Sequence, residues 1–343
     1  VRFPVCITTL VLLLAACSSS GPQPAPDVIA APGYQAFVYA TDFDGPTQMV
    51  FAPNGDLLVA ELQGGENDGT GRIVRVDRQD PTARSVLQTD LDKPTGIAVV
   101  GDLLWIMERR QLSVTSLEPG AARQVVLEDM PFNGRSQGTL TVTPRGQLLF
   151  DTSGSKRGAD RVAGSGTLFA ISSAADGFSQ PEVVATGFKH AYAHVVDPDG
   201  QLWTVEMTDG TFDGERAPDE LVAIAPGDDG GWPQCFGNNR PALEFGGTQA
   251  GCAASPPSHA IFGLGATPTS IVLAPWGDDE FVVALWLPGQ VVTVPRQQPG
   301  SEPHEPVVLL EGIESPQHLL VLDEQLLVSD HETGQIFSVT KAS

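Results

Sequence analysis

The sequence predicts an all-β chain folded as a six-bladed β-propeller, with an N-terminal strand closing the last blade. Two observations predict it. A hairpin unit recurs along the chain with a basic spacing of about 45 residues. The strand that the sixth copy lacks at its end is found at the start of the chain, as YQAFVYATDF (34–43).

The six copies are PTQMVFAPNGDLLVAE (46–61), PTGIAVVGDLLWIME (94–108), GTLTVTPRGQLLFDT (138–152), YAHVVDPDGQLWTVE (192–206), TPTSIVLAPWGDDEFVVAL (267–285) and PQHLLVLDEQLLVSD (316–330). Each is an apolar strand, a tight turn and a second apolar strand. The PNG, PRG and PDG turns suit hairpins because Gly takes positive φ without a side-chain clash. The second strands begin at 57, 103, 148, 202, 281 and 326, giving intervals of 46, 45, 54, 79 and 45. Third strands follow at GRIVRVD, RQLSVTSL, GTLFAIS, DELVAIAP, GQVVTVP and GQIFSVT. Fourth strands follow as SVLQTDL, RQVVLEDM, EVVATGF, SHAIFGLG and PVVLLEGI, with none after the sixth copy. Radial closure leaves few free sheet edges. A double sandwich is the competing architecture, but it explains neither the period nor the displaced strand. The 37 glycines and 28 prolines, with no long helical pattern, agree with an all-β core.

Three regions are expected. Residues 5–16, VCITTLVLLLAA, form an apolar run of signal-peptide length, shorter than the ~20 residues of a spanning helix. It ends in Leu14-Ala15-Ala16-Cys17 before SSSGPQPAP, which resembles a bacterial lipoprotein cleavage box. The resemblance implies a signal peptide over 1–16, lipid on Cys17 and a Ser/Pro-rich tether over 17–33. The propeller then occupies 34–343, with an insert at 207–260 in the fourth unit. The expected setting is the bacterial envelope, outside the cytoplasm, with membrane contact only through the lipid.

Forty-two acidic residues against 19 basic ones give a formal charge of −23. Such a surface repels nucleic acid and anionic lipid head groups, which removes both as partners. A monomer is expected, binding a small polar molecule such as a sugar or an envelope protein. Cys6 leaves with the signal and Cys17 takes lipid, so Cys235 and Cys252 are left to form one bridge in an oxidising compartment.

Loops leading into the inner strands and loops leaving the second strands surround one mouth of a propeller channel. The first set carries Gln48, Lys93, Arg135-Ser136-Gln137, Lys189-His190, Thr267 and Gln317-His318. The second carries Glu61, Glu108, Asp151, Glu206 and Asp330-His331. Gln48, Arg135, Lys189, His190, His318 and His331 are therefore candidate ligand or cofactor contacts. Glu61, Glu108, Glu206 and Asp330 are candidate Ca²⁺ ligands, read against the plainer reading of solvated strand ends. His190 and His194 are too far apart on an extended strand, roughly 13 Å, to share an ion. The acidic stretch DGTFDGERAPDE (209–220) lacks EF-hand spacing and reads as a solvated loop. No HExxH motif occurs.

In the fourth unit, GFKHAYAHVVDPDGQLWTVEMTDG followed by DELVAIAPGDDGGWPQC resembles the soluble glucose/sorbosone dehydrogenase family. The GWP at 231–233, with Cys235 and Cys252 after it, is similar to the sorbosone-type branch. The resemblance implies a six-bladed propeller, Ca²⁺, pyrroloquinoline quinone over the channel, and a histidine base that takes a sugar hydroxyl proton during hydride transfer. The family's Arg-Asn pair falls on Lys189-His190, its Pro on Ala191 and its catalytic His near Arg135. Its arginine-rich approach to the last blade falls on Ser315-Pro316-Gln317-His318. Lysine lacks the guanidinium fork that grips a carboxylate, and an arginine stays protonated and cannot act as a base. No catalytic residue is assigned from the sequence. Three functions remain open: a quinone-dependent aldose oxidoreductase, a non-catalytic ligand- or protein-binding scaffold, and a Ca²⁺-dependent lactonase.

Overall fold

A computed structural model describes residues 23–132, 137–154, 164–174, 177–208, 210–277, 279–297 and 302–342. The expected signal peptide, Cys17 and Arg135 lie outside the described residues.

Six antiparallel sheets form the six blades. Blade 1 runs from the inside outwards as Pro46–Phe51, Leu57–Glu61, Gly71–Val76 and Arg84–Leu91. Blade 2 is Gly96–Val100, Leu103–Met107, Leu112–Ser116 and Gln124–Leu127. Blade 3 is Thr141–Val142, Leu148–Thr152, Thr167–Ile171 and Glu182–Thr186. Blade 4 is Ala191–Val196, Leu202–Glu206, Pro218–Ile224 and Ser258–Leu264. Blade 5 is Pro268–Leu273, Glu280–Leu285, Gln290–Pro295 and Val307–Glu311. Blade 6 is Pro316–Leu322, Gln325–Asp330 and Gln335–Lys341, completed by Tyr34–Ala40 from the start of the chain. Tyr34 pairs with Lys341 in that closure.

The burial pattern follows from stacking blade on blade. Second strands have neighbours on both faces, so Leu57–Glu61 and Leu148–Thr152 are buried at every position. Outer strands meet solvent, and Arg84–Leu91 mixes exposed and buried side chains. Apolar clusters fill the gaps between neighbouring blades, such as Trp203, Phe262, Ile271 and Phe281 between blades 4 and 5. Each such side chain contributes about 1.5–3 kcal/mol on burial.

The stretch 17–33, expected as a tether, is partly built into the wheel. Gln23–Pro24 adds to the outer edge of blade 6 and Ile29–Ala30 to that of blade 5. Ala25 and Val28 are buried among Leu309, Leu310 and Ile313. Ser/Pro composition alone hides this, because the anchoring is done by main-chain pairing to exposed strand edges.

The stretch 207–260, expected as one insert, contains the third strand of blade 4, and the loops on either side of that strand share a small core where Phe212 packs on Trp232 and Phe236. Cys235 and Cys252 are joined by a disulfide, with Cα atoms 5.6 Å apart. Among the described residues, no helix is long and apolar enough to cross a membrane.

Candidate functional site

The acidic strand ends are neither solvated nor convergent. They clamp loops. Glu61 accepts the Asp44 N–H at 3.2 Å, and Glu108 accepts that of Asp92 at 2.7 Å. Asp151 accepts from Gly138 at 2.7 Å, while Glu206 accepts from Lys189 at 2.5 Å and His190 at 3.3 Å. Asp330 accepts from Glu314 and Ser315. Blade 5 ends its second strand in Leu285, and Asp219 of blade 4 instead receives the Thr267 N–H at 2.7 Å. A carboxylate that satisfies loop N–H groups this way is held in its own blade. Glu61 and Glu108 are further paired with Arg72 and Arg123. The expected ring of Glu61, Glu108, Glu206 and Asp330 around a shared cation is thus corrected. Among the described residues, no three His, Cys, Asp or Glu side chains are arranged to hold a metal ion.

What lines the mouth is set by β-bulges at the start of the inner strands. The register slips between Pro46 and Met49, Ala191 and Ala193, Pro268 and Ser270, and Pro316 and His318. A bulge turns its extra residue out of the ladder. Thr47, Tyr192, Thr269 and Gln317 occupy these slips, and all four line a hollow of about 340 Å³. Thr95, His190, Trp286 and His331 also line it. The Trp286 and His331 rings lie 5.0 Å apart, forming an aromatic wall. His331 Nδ1 donates to the Pro46 carbonyl at 3.1 Å, and burial lowers the pKa of its ring. Lys93 and Glu66 face each other across the rim at 2.8 Å.

Of the residues expected at the mouth, His190 and His331 are there. Gln48 and His318 are not. They line a second chamber on the far side of a partition, because each step along an extended strand advances about 3.3 Å and reverses the side chain. The partition is a set of side-chain hydrogen bonds crossing the axis. Gln317 Nε2 donates to the Tyr192 hydroxyl at 2.9 Å. The Gln48 amide donates to Leu140 O and accepts from the N–H groups of Ile97 and Leu140, joining blades 1, 2 and 3. Lys189 is fully buried and lies outside the hollow's lining.

Behind His190 lies Asp151. Its Oδ2 is 3.4 Å from His190 Nε2, while its Oδ1 holds the Gly138 N–H. Burial is the main cause that pushes the Asp151 carboxyl up to about 8, against the opposing pull of the Gly138 hydrogen bond and the Lys189 charge. Burial also raises Glu206 well above the usual carboxylate range, and the Glu220 charge adds to that. The segment GFKHAYAH places this group. Gly187 has φ +77°, and a Cβ there would meet the Asp229 carboxylate at 1.7 Å. Gly138 is equally constrained, since its Cβ would lie 2.1 Å from the Tyr192 carbonyl.

Three of the four bulged residues follow a proline, at 46–47, 268–269 and 316–317, but the same pair at 94–95 carries no register slip and Tyr192 follows Ala191. Trp286 and Leu287, just past the second strand of blade 5, had no comparable marker.

A scan against protein-family models matches none, and a search of curated proteins finds no relative. Solved structures do match over nearly the whole chain. A calcium structure of the Trichoderma reesei carbohydrate-active enzyme family AA12 superposes with TM-score 0.79 at 18% identity, covering 94% of this chain and 100% of that one. The holo pyranose dehydrogenase PQQ domain from Coprinopsis cinerea gives 0.74 at 17%, covering 93% and 98%. The PQQ-bound aldose sugar dehydrogenase from Streptomyces coelicolor gives 0.69 at 18%, covering 91% and 99%. The fold is that of the sugar dehydrogenase propellers.

Pyrroloquinoline quinone carries three carboxylates. Lys93 is the only lysine or arginine among those lining residues, and it already pairs with Glu66. The described residues do not balance three carboxylates.

Proposed function

We propose that the mouth binds an uncharged, polyhydroxylated molecule of sugar size, and that the protein is a sugar-binding propeller of the sugar dehydrogenase type. The observation that carries this is the Trp286–His331 wall beside a hollow ringed by Thr47, Thr95, Thr269, Tyr192 and Gln317. An aromatic face packs against the C–H face of a sugar ring, while hydroxyl and amide groups meet its hydroxyls. A hollow of about 340 Å³ is of ordinary size for a small-molecule site. Calorimetric titration of the full chain with a panel of aldoses and alditols tests the reading. Saturable heat with at least one of them is expected, and none with any would end it.

A second reading, sugar oxidation, is favoured by the His190–Asp151 pair. His190 lines the hollow with the Asp151 carboxyl 3.4 Å from its Nε2, and a neutral imidazole is a side chain able to accept a hydroxyl proton near neutral pH. The neighbouring structures named pyranose and aldose sugar dehydrogenase support the same direction. Incubation with the quinone and Ca²⁺, followed by dye reduction on the sugars that bind, tests it. Binding without turnover leaves the first reading in place and removes the second.

We also infer an envelope location with lipid on Cys17, from the Leu14-Ala15-Ala16-Cys17 sequence. Cys17→Ser is expected to abolish incorporation of labelled fatty acid and release the protein from the membrane fraction. Unchanged labelling would refute it.

A further inference from the structure

Beneath the partition the channel widens into a second chamber of about 650 Å³, opening on the face opposite the mouth. Its wall comes from the inner strands, with Val50, Val99, Leu273 and Leu320 among its apolar side chains. Val142 and Val321 reach the chamber from more exposed positions, at 38% and 36%. Among the described residues no lysine or arginine lines it, and the exposed Asp323 adds a negative charge. An anion entering it would lose hydration without gaining a counter-charge.

Two imidazoles are set in this apolar wall. His318 Nδ1 accepts the Met49 N–H at 3.4 Å, which places its own hydrogen on Nε2 and makes that atom a donor. His194 is only 4% exposed, yet neither of its ring nitrogens makes a well-formed hydrogen bond among the described residues. The Ala191 backbone lies near that ring and opposes the larger effect of burial on it. Burial keeps both rings neutral at physiological pH, with pKa values lowered to about 4 for His194 and about 3 for His318. A neutral imidazole presents one N–H and one lone pair. Left unmatched in apolar surroundings, such groups carry a desolvation cost of about 1–3 kcal/mol, which a matching ligand group removes.

We propose that this chamber is a second binding site, taking an uncharged molecule with an apolar body and a hydroxyl or carbonyl head held by His194. The site is independent of the sugar reading of the mouth, because the Gln48 and Gln317 hydrogen bonds lie between them.

The probe is 2-naphthol, a flat apolar body with one hydroxyl, added to the full chain and followed by its fluorescence anisotropy. Saturable binding below about 1 mM is expected, corresponding to roughly 4 kcal/mol. Naphthalene-2-sulfonate, with the same body and a fixed negative charge, is expected not to saturate in that range. His194→Leu should weaken 2-naphthol binding at least about tenfold. Val321→Trp fills the chamber from a partly exposed position, leaves the core intact and should remove binding, so the test stands even if the histidine variant misfolds. Neither variant's effect on sugar binding at the mouth enters the comparison. Absence of saturable naphthol binding to the unmodified chain would overturn the proposal, as would binding unchanged in Val321→Trp or equal affinity for the sulfonate.

Discussion

Replacing Asp151 by Asn tests the buried charge arrangement behind the mouth. In the folded chain, burial raises this carboxyl from 3.8 to about 8. Between those values the folded state holds a proton that the unfolded state has released. The contribution of Asp151 to stability is therefore complete below about pH 4 and is lost as the pH rises towards 8. One proton can give a slope of at most about 1.4 kcal/mol per pH unit. A side-chain amide at this position would keep an oxygen for the Gly138 N–H and carry no titrating proton. Urea unfolding of both proteins at about pH 5.5 and about pH 7.5 isolates the effect, because Glu206, Glu220, His194 and His318 titrate in both. Relative to the unmodified chain, Asp151→Asn should gain at least about 1 kcal/mol between the lower and the higher pH. Parallel pH profiles would show that Asp151 is not held protonated by burial and would refute the reasoning.

Trp286→Ala removes one side of the aromatic wall and should weaken sugar binding about tenfold or more by calorimetry, with a much smaller change in thermal midpoint. Tyr192→Phe leaves the Gln317 amide without its 2.9 Å acceptor in the partition, and should cost about 1–3 kcal/mol in urea unfolding. Gly138→Ala forces a Cβ against the Tyr192 carbonyl at 2.1 Å, and should destabilise the chain by more than about 3 kcal/mol in the same assay. Cys235→Ser opens the bridge to Cys252, and should expose the insert to limited proteolysis while the blades remain protected.

The wheel was legible because its unit is local. Hairpins such as 46–61 and 316–330 carry their turns and apolar strands in a continuous stretch, and the displaced strand at 34–43 follows from counting. The disulfide was legible once the leader cysteines were set aside. The mouth was legible only in part. A strand position tells which loop a residue belongs to, but a bulge decides where its side chain turns, so Gln317 faces the mouth while His318 does not. The carboxylates misled for a related reason. Their spacing through the repeats is the same whether they turn to the axis or back to their own loops, and the unpaired N–H groups of those loops decide the matter. Lys189 reads as an exposed loop cation, and only the packing of blades 3 and 4 shows it buried.

The pairing of Tyr34 with Lys341 joins residues 307 positions apart (341 minus 34). During synthesis the first partner emerges long before the second exists, and its edge stays unmatched until Gln335–Lys341 arrives. Loss of Gln335–Lys341 would leave a nearly finished ring with two open flanks ready to join another chain.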